Sequence, residues 1–271
     1  MQLRANRKSF PAGVPCWVEA LEPDPRAASV FYKAVFGWEP NGPGPMPNGG
    51  EYFVAHLEGD EVAGIATLPA GAVPHWATYV RVDDVDEAVQ RATDAGGATI
   101  VPPLDAPPAG RLAVIADPDG ATLGLWQPQR REGAQRVNEP SAWAMSALRT
   151  VDLKRAGRFY AATFGWTEEP FDAGSGRAIL YRRPGYIGGT PSQPVPRDVV
   201  AVGLEDPSIE TAHWSVDFWI ADVNEAVARV SRFGGSVLVE PFDEGPFRRA
   251  VAADPAGAIF SLSELVPQRL V

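Results

Sequence analysis

Hydrophobic positions change period along this chain in a fixed order. Trp17-Val18-Glu19-Ala20-Leu21 alternates as a short strand does. Pro23-Asp24-Pro25 interrupts it, with Asp24 placed to cap a helix and Pro25 to open its first turn. Ala27, Ala28, Val30, Phe31 and Val35 supply the helical apolar stripe, and Gly37 suits its stop. The order returns from Trp143 to Leu148, with a cap at Asp152, a helix through Phe159 and Tyr160, and a stop at Gly165. A second pattern starts with strands rich in aromatic and β-branched residues, Trp76 to Val82 and Trp214 to Ile220. Helices capped by Asp84 and Asp222 follow, closed by Gly96-Gly97 and Gly234-Gly235. Strands at Thr99–Val101 and Val237–Val239 come next. The last strands form hairpins around Asp117-Pro118-Asp119-Gly120 and Asp254-Pro255-Ala256-Gly257, where Pro sets φ and Gly accepts a positive φ.

These elements belong to a repeat. Phe31-Tyr32 and Phe36-Gly37-Trp38 return as Phe159-Tyr160 and Phe164-Gly165-Trp166, and His75-Trp76 returns as His213-Trp214. The offset drifts from 128 to 138 residues, which marks one duplicated domain with loop insertions. The expected organisation is a domain over 10–128, a polar linker over 129–138 and a second domain over 139–266. Pro- and Gly-rich stretches at 40–50 and 184–208 are expected as surface loops.

Composition narrows the function classes. At 271 residues, with 45% hydrophobic content and eight Trp, the chain can build real cores. A net charge of −10 disfavours nucleic acid or an anionic membrane surface as partner. No apolar run approaches the roughly 20 residues that span a bilayer. Arg4, Arg7 and Lys8 precede no apolar signal core, so a cytoplasmic protein, monomer or homodimer, is expected. The single cysteine, Cys16, excludes an intramolecular disulfide and is expected as a buried structural thiol.

A strand–helix–three-strand module used in pairs, with Trp-x-x-x-Leu, Phe-Tyr and Phe-Gly-Trp, resembles the vicinal oxygen chelate superfamily. That group includes glyoxalase I, bleomycin-resistance proteins and extradiol dioxygenases. The chain looks like its two-domain actinobacterial-type members. The resemblance implies an α+β fold: tandem paired βαβββ modules, each pair a cupped mixed sheet with helices on its outer face. It also implies a divalent metal held by His and Glu from the first and last strands of the modules. The matching positions here are Trp17, Ala77 and Gly124 in one half, and Met145 or Trp143, Ser215 and Ser261 in the other. The remaining ligand strand is expected near Val62–Ala66 and near Ile187–Gly189, neither with a carboxylate. Those side chains do not make a transition-metal donor set, so no metal and no cofactor are expected.

Strand parity suggests what fills the cups instead. Trp17, Tyr79 and Trp126 should line the first, beside Glu19 and His75. Trp143, Met145, Trp219 and Ile259 should line the second, beside His213 and Asp217. Ala77 and Gly124 should leave more room in the first. Two function classes follow. One is a metal-free binder of a small hydrophobic or aromatic molecule, such as an antibiotic or metabolite. The other is a metal-independent isomerase- or lyase-type enzyme in which Glu19 or Asp217 acts as general base. Arg111 and Arg248 could reach an anionic group or pair with nearby acids.

Overall fold

The computed structural model describes residues 10–46, 49–172, 176–188 and 196–266. The basic residues Arg4, Arg7 and Lys8, and Gly189 of the expected ligand strand, lie outside them. The first half runs β1 (Pro15–Glu22), α1 (Pro25–Phe36), β2 (Glu39–Pro45), β3 (Glu51–Leu57), β4 (Asp60–Thr67), β5 (His75–Arg81), α2 (Val85–Asp94), β6 (Ala98–Ala106), β7 (Gly110–Ala116) and β8 (Thr122–Pro128). The second half repeats it as β9 (Ala142–Thr150), α3 (Leu153–Phe164), β10 (Thr167–Asp172), β11 (Arg177–Arg182), β12 (Val199–Glu205), β13 (His213–Trp219), α4 (Val223–Arg232), β14 (Ser236–Glu244), β15 (Phe247–Ala253) and β16 (Ile259–Leu265). No helix among the described residues is long and apolar enough to cross a membrane.

Each half makes one eight-stranded sheet, ordered β2-β3-β4-β1-β5-β8-β7-β6 and β10-β11-β12-β9-β13-β16-β15-β14. The sheets are mixed: β1 runs parallel to β4 and antiparallel to β5, and β5 runs parallel to β8. The fold is the α+β arrangement of paired modules that the sequence implies. The helices start where local chemistry starts them. Asp24, Asp84, Asp152 and Asp222 each accept backbone N–H bonds as N-caps, and Gly37 and Gly165 end α1 and α3 in the left-handed region.

Two stretches expected as loops contain strands. Residues 39–45 form β2, an exposed edge strand paired with β3. Prolines are tolerated there because an edge strand leaves one row of N–H groups unpaired. Likewise β12 lies inside the 184–208 stretch, so the second half's counterpart of β4 is Val199–Glu205 rather than the region of Ile187. The extra Pro- and Gly-rich residues precede it and shift it along the chain.

The sheets are drawn from separate halves, but the cores are shared. One buried cluster joins α2 residues to Phe159 and Tyr160 of α3; the other joins α1 residues to Val223, Ala226 and Val230 of α4. Tyr32 of α1 donates to Asp254 in the β15–β16 turn, and Tyr160 of α3 donates to Asp117 in the β7–β8 turn. Trp76 and Trp214 donate in turn to those tyrosines. Where the outer faces of the two sheets meet, the buried Thr78 and Ser146 hydroxyls lie 2.7 Å apart. Cys16 is buried, and burial pushes its thiol far above the reactive range.

Candidate functional site

The inner face of each sheet is a cup, and register makes their positions comparable. Trp17 pairs with Tyr79, and Tyr79 with Gly124. In the second half Met145 pairs with Asp217, and Asp217 with Ser261. Met145, not Trp143, is therefore the counterpart of Trp17. A bulge between Asp217 and Phe218 shifts Trp143 out of step.

The first cup is closed by its own side chains. Tyr79 donates to one Glu19 oxygen at 2.5 Å and Tyr52 of β3 to the other at 3.0 Å. Trp17 Nε1 donates to the Tyr52 hydroxyl at 3.0 Å. Gly64 makes this possible, because a Cβ there would run into that hydroxyl. Gly124 likewise admits the Tyr79 ring, which occupies the space a side chain would need. The room expected at Gly124 is thus already filled. Burial pushes the Glu19 carboxyl above the ordinary glutamate range, and the two tyrosine bonds oppose that shift. The Arg131 guanidinium lies over the Trp17 ring, 5.3 Å from its centre, while pairing with Glu61. Trp126 donates to the Arg131 carbonyl.

The second cup holds a cavity of about 160 Å³. Trp143, Met145 and Trp219 line it with Val200, Val202 and Phe247, and Phe10, Val14 and Pro15 of the first half close one side. Its charged groups are Asp217 and Arg249, beside Ser263, and Asn138 and Tyr186 add neutral polar groups to the lining. Ser263 donates to Asp217 Oδ1 at 2.8 Å, and Arg249 lies 3.6 Å from the same oxygen while bonding Glu244 at 2.7 Å. Burial pushes the Asp217 carboxyl above the ordinary aspartate range; Arg249 and Ser263 pull it back. Arg249 was not among the residues singled out from the sequence. Strand alternation carried a signal, since Phe247, Arg249 and Val251 share a face of β15.

The other candidates lie elsewhere. His75 and His213 stand at the starts of β5 and β13, with Nδ1 2.8 Å from the Val73 carbonyl and 3.2 Å from that of Thr211. Neither lines the cavity. Ile259 is 51% exposed and does not line it either. Arg111 pairs with Asp86 and Asp105, and Arg248 with Asp243.

The metal site implied by the resemblance can be tested on donor chemistry. Trp17 offers only an N–H, already given to Tyr52, while Ala77 and Gly124 offer no side-chain donor atom. In the second half Met145 and two hydroxyls, Ser215 and Ser261, stand at those places, and Ser215 donates to the Ala147 carbonyl. The described residues hold no cluster of three or more His, Cys, Asp or Glu placed for a metal ion. Such residues do not fit a zinc, iron or nickel centre.

Comparison with known proteins agrees with the architecture. Residues 17–125 match the Glyoxalase/Bleomycin resistance protein/Dioxygenase superfamily model, and residues 145–263 match a Glyoxalase-like domain. A Mycobacterium tuberculosis protein named "Putative glyoxylase CFP32" is 37% identical over 97% of this chain and 99% of its own. The Streptomyces peucetius "Anthracycline biosynthesis protein DnrV" is 32% identical, covering 94% of each chain. Among solved structures, the 2,3-dioxygenase LapB from Pseudomonas sp. KL28 superposes with a TM-score of 0.65 over 94% of each chain at 16% identity. The Mn(II)-bound glyoxalase from Novosphingobium aromaticivorans gives 0.63 over 94% of this chain and 83% of its own at 15% identity. At those identities the structures speak for the fold alone. Both halves of the sequence, the fold and full-length relatives point the same way: the chain belongs to the glyoxalase/bleomycin resistance protein/dioxygenase superfamily.

Proposed function

We propose that this chain is a binding protein of glyoxalase-like fold that holds a small hydrophobic or aromatic molecule without the family's metal site. The observation that carries the reading is the second-cup cavity. Two tryptophans and a methionine wall it, and Ser263 and Arg249 meet at the carboxylate of Asp217. Mostly apolar concavities with a small number of placed polar groups are the usual form of small-molecule sites. Relatives named for anthracycline biosynthesis support an aromatic ligand. Titration with acetophenone, a single-ring probe, tests the reading. The expected dissociation constant is on the order of 10–1000 µM, within reach of so small a ligand. Met145→Trp, which fills the cup, should abolish binding. Binding that survives this substitution, or no binding to the parent protein, overturns the proposal.

A second reading is favoured by one observation, the raised Asp217 carboxyl facing the cavity. In that reading Asp217 is the general acid or base of a metal-independent enzyme. Asp217→Asn separates the two. An enzyme would lose turnover by roughly 10²–10⁴-fold while still binding, whereas a binder would change only its affinity.

A further inference from the structure

The second cup is small, and its charged groups sit together. An apolar cavity of about 150 Å³ accommodates benzene, whereas sites for drug-sized ligands run to roughly 300–1,000 Å³. At about 160 Å³ this cavity admits one ring, and a fused polycycle would enter by one ring and leave the rest at the mouth. Trp143, Trp219, Met145 and Phe247 present rings and a thioether to such a ring, and among the described residues the buried Trp143 Nε1 has no hydrogen-bond partner. The charged groups are gathered at one place, where Asp217, Ser263 and Arg249 sit together, while Asn138 and Tyr186 add neutral polar groups elsewhere in the lining.

The roles of those three groups are set by their existing bonds. Ser263 spends its hydroxyl hydrogen on Asp217 Oδ1, and Arg249 also faces that oxygen. Among the described residues no bond is made to Asp217 Oδ2, so this wall still offers an acceptor. Arg249 carries five N–H donors on a fixed fork; Glu244 bonds one terminal nitrogen at 2.7 Å, and Asp217 lies 3.6 Å from the other. The wall therefore presents an acceptor beside donors. The first cup carries no such pair: the counterparts of Asp217 and Arg249 by register are Tyr79 and Leu112.

We propose that the second cup recognises one aromatic ring bearing a hydroxyl and a carbonyl on one edge, the hydroxyl donating to Asp217 and the carbonyl accepting from Arg249. This rests on the second cup being a binding site. It goes further by naming the ligand chemistry that the wall selects.

Calorimetric titration at neutral pH with four single-ring probes tests it: ortho-hydroxyacetophenone, meta-hydroxyacetophenone, acetophenone and ortho-cresol. At least one hydroxyacetophenone should bind roughly tenfold or more tighter than both acetophenone and ortho-cresol, the scale of a hydrogen bond to a charged group. Asp217→Asn should erase its advantage over acetophenone and leave acetophenone within about twofold. Arg249→Met should erase its advantage over ortho-cresol. Thermal melts confirm that each variant is folded. If all four probes bind alike, or the preference survives in Asp217→Asn, the edge recognition is wrong although the cup still binds rings. If none binds, or binding persists in Met145→Trp, the site itself is wrong and both proposals fall.

Discussion

The two cups share one backbone and hold opposite contents. At matching places the first has Trp17, Tyr79, Gly124 and Trp126, and the second has Met145, Asp217, Ser261 and Ser263. In the first, a ring spans the sheet and a buried carboxylate is saturated by two tyrosines. In the second, the ring becomes a carboxylate, the indole a thioether, and an arginine arrives from the next strand. The lesson is that apolar composition does not tell a pocket from a core. Which position carries the large side chain decides it.

The sharpest way to break the comparison is at the ends of the equivalent strands β1 and β9, where Glu22 faces Asp254 and the counterpart is Thr150. Burial and the Asp254 carboxylate push Glu22 up to about 9. Its folded pKa thus exceeds its unfolded one, so the folded state holds the proton more tightly. Its contribution is fully present below about pH 4.5 and is lost as pH rises toward 9. One proton sets the limiting slope at about 1.4 kcal/mol per pH unit. Denaturant melts between pH 5 and 9 should show stability falling with pH, and Glu22→Gln should flatten the curve. An unchanged curve in that variant would contradict the assignment.

Next in size is Glu19. Glu19→Ala leaves the Tyr52 and Tyr79 hydroxyls buried without their shared acceptor and should cost about 3 kcal/mol. Asp217→Ala, at the wall of a cavity, should cost about 1 kcal/mol. Equal losses would erase the distinction between plug and pocket. Gly124→Ala sharpens it further. The added methyl meets the Tyr79 ring and should cost about 1–3 kcal/mol, while Ser261→Ala at the matching place should stay within about 0.5 kcal/mol. Binding should divide the same way. Trp143→Ala should weaken acetophenone by about tenfold, roughly 1.4 kcal/mol, and Trp17→Phe should leave it unchanged.

The repeat, the four aspartate caps and the inward parity of Trp17, Glu19 and Tyr79 were legible because they depend on neighbours in sequence. Strand β2 was hidden by its prolines, which an edge strand tolerates. Strand β12 was hidden by the insertion before it. The site was half legible. Asp217, Met145, Trp143 and Trp219 could be read from alternation. The partnerships of Asp217 with Arg249 and of Glu19 with Tyr52 could not, since they join strands far apart in the chain. The closing of the first cup was not legible, because a glycine leaves room for any neighbour, and the neighbour here is Tyr79.

The chain has three methionines, and among the described residues Met145 is the one that lines the second cup. Its methyl resonance, in protein labelled with carbon-13 methyl methionine, therefore reports on that cavity. Titration with acetophenone should shift the Met145 methyl and the Trp143 and Trp219 indole signals in proportion to occupancy, with those of Trp17 and Trp126 unmoved. Shifts at Trp17 and Trp126 with a static Met145 methyl would show that the first cup opens and the second does not bind, contradicting the account.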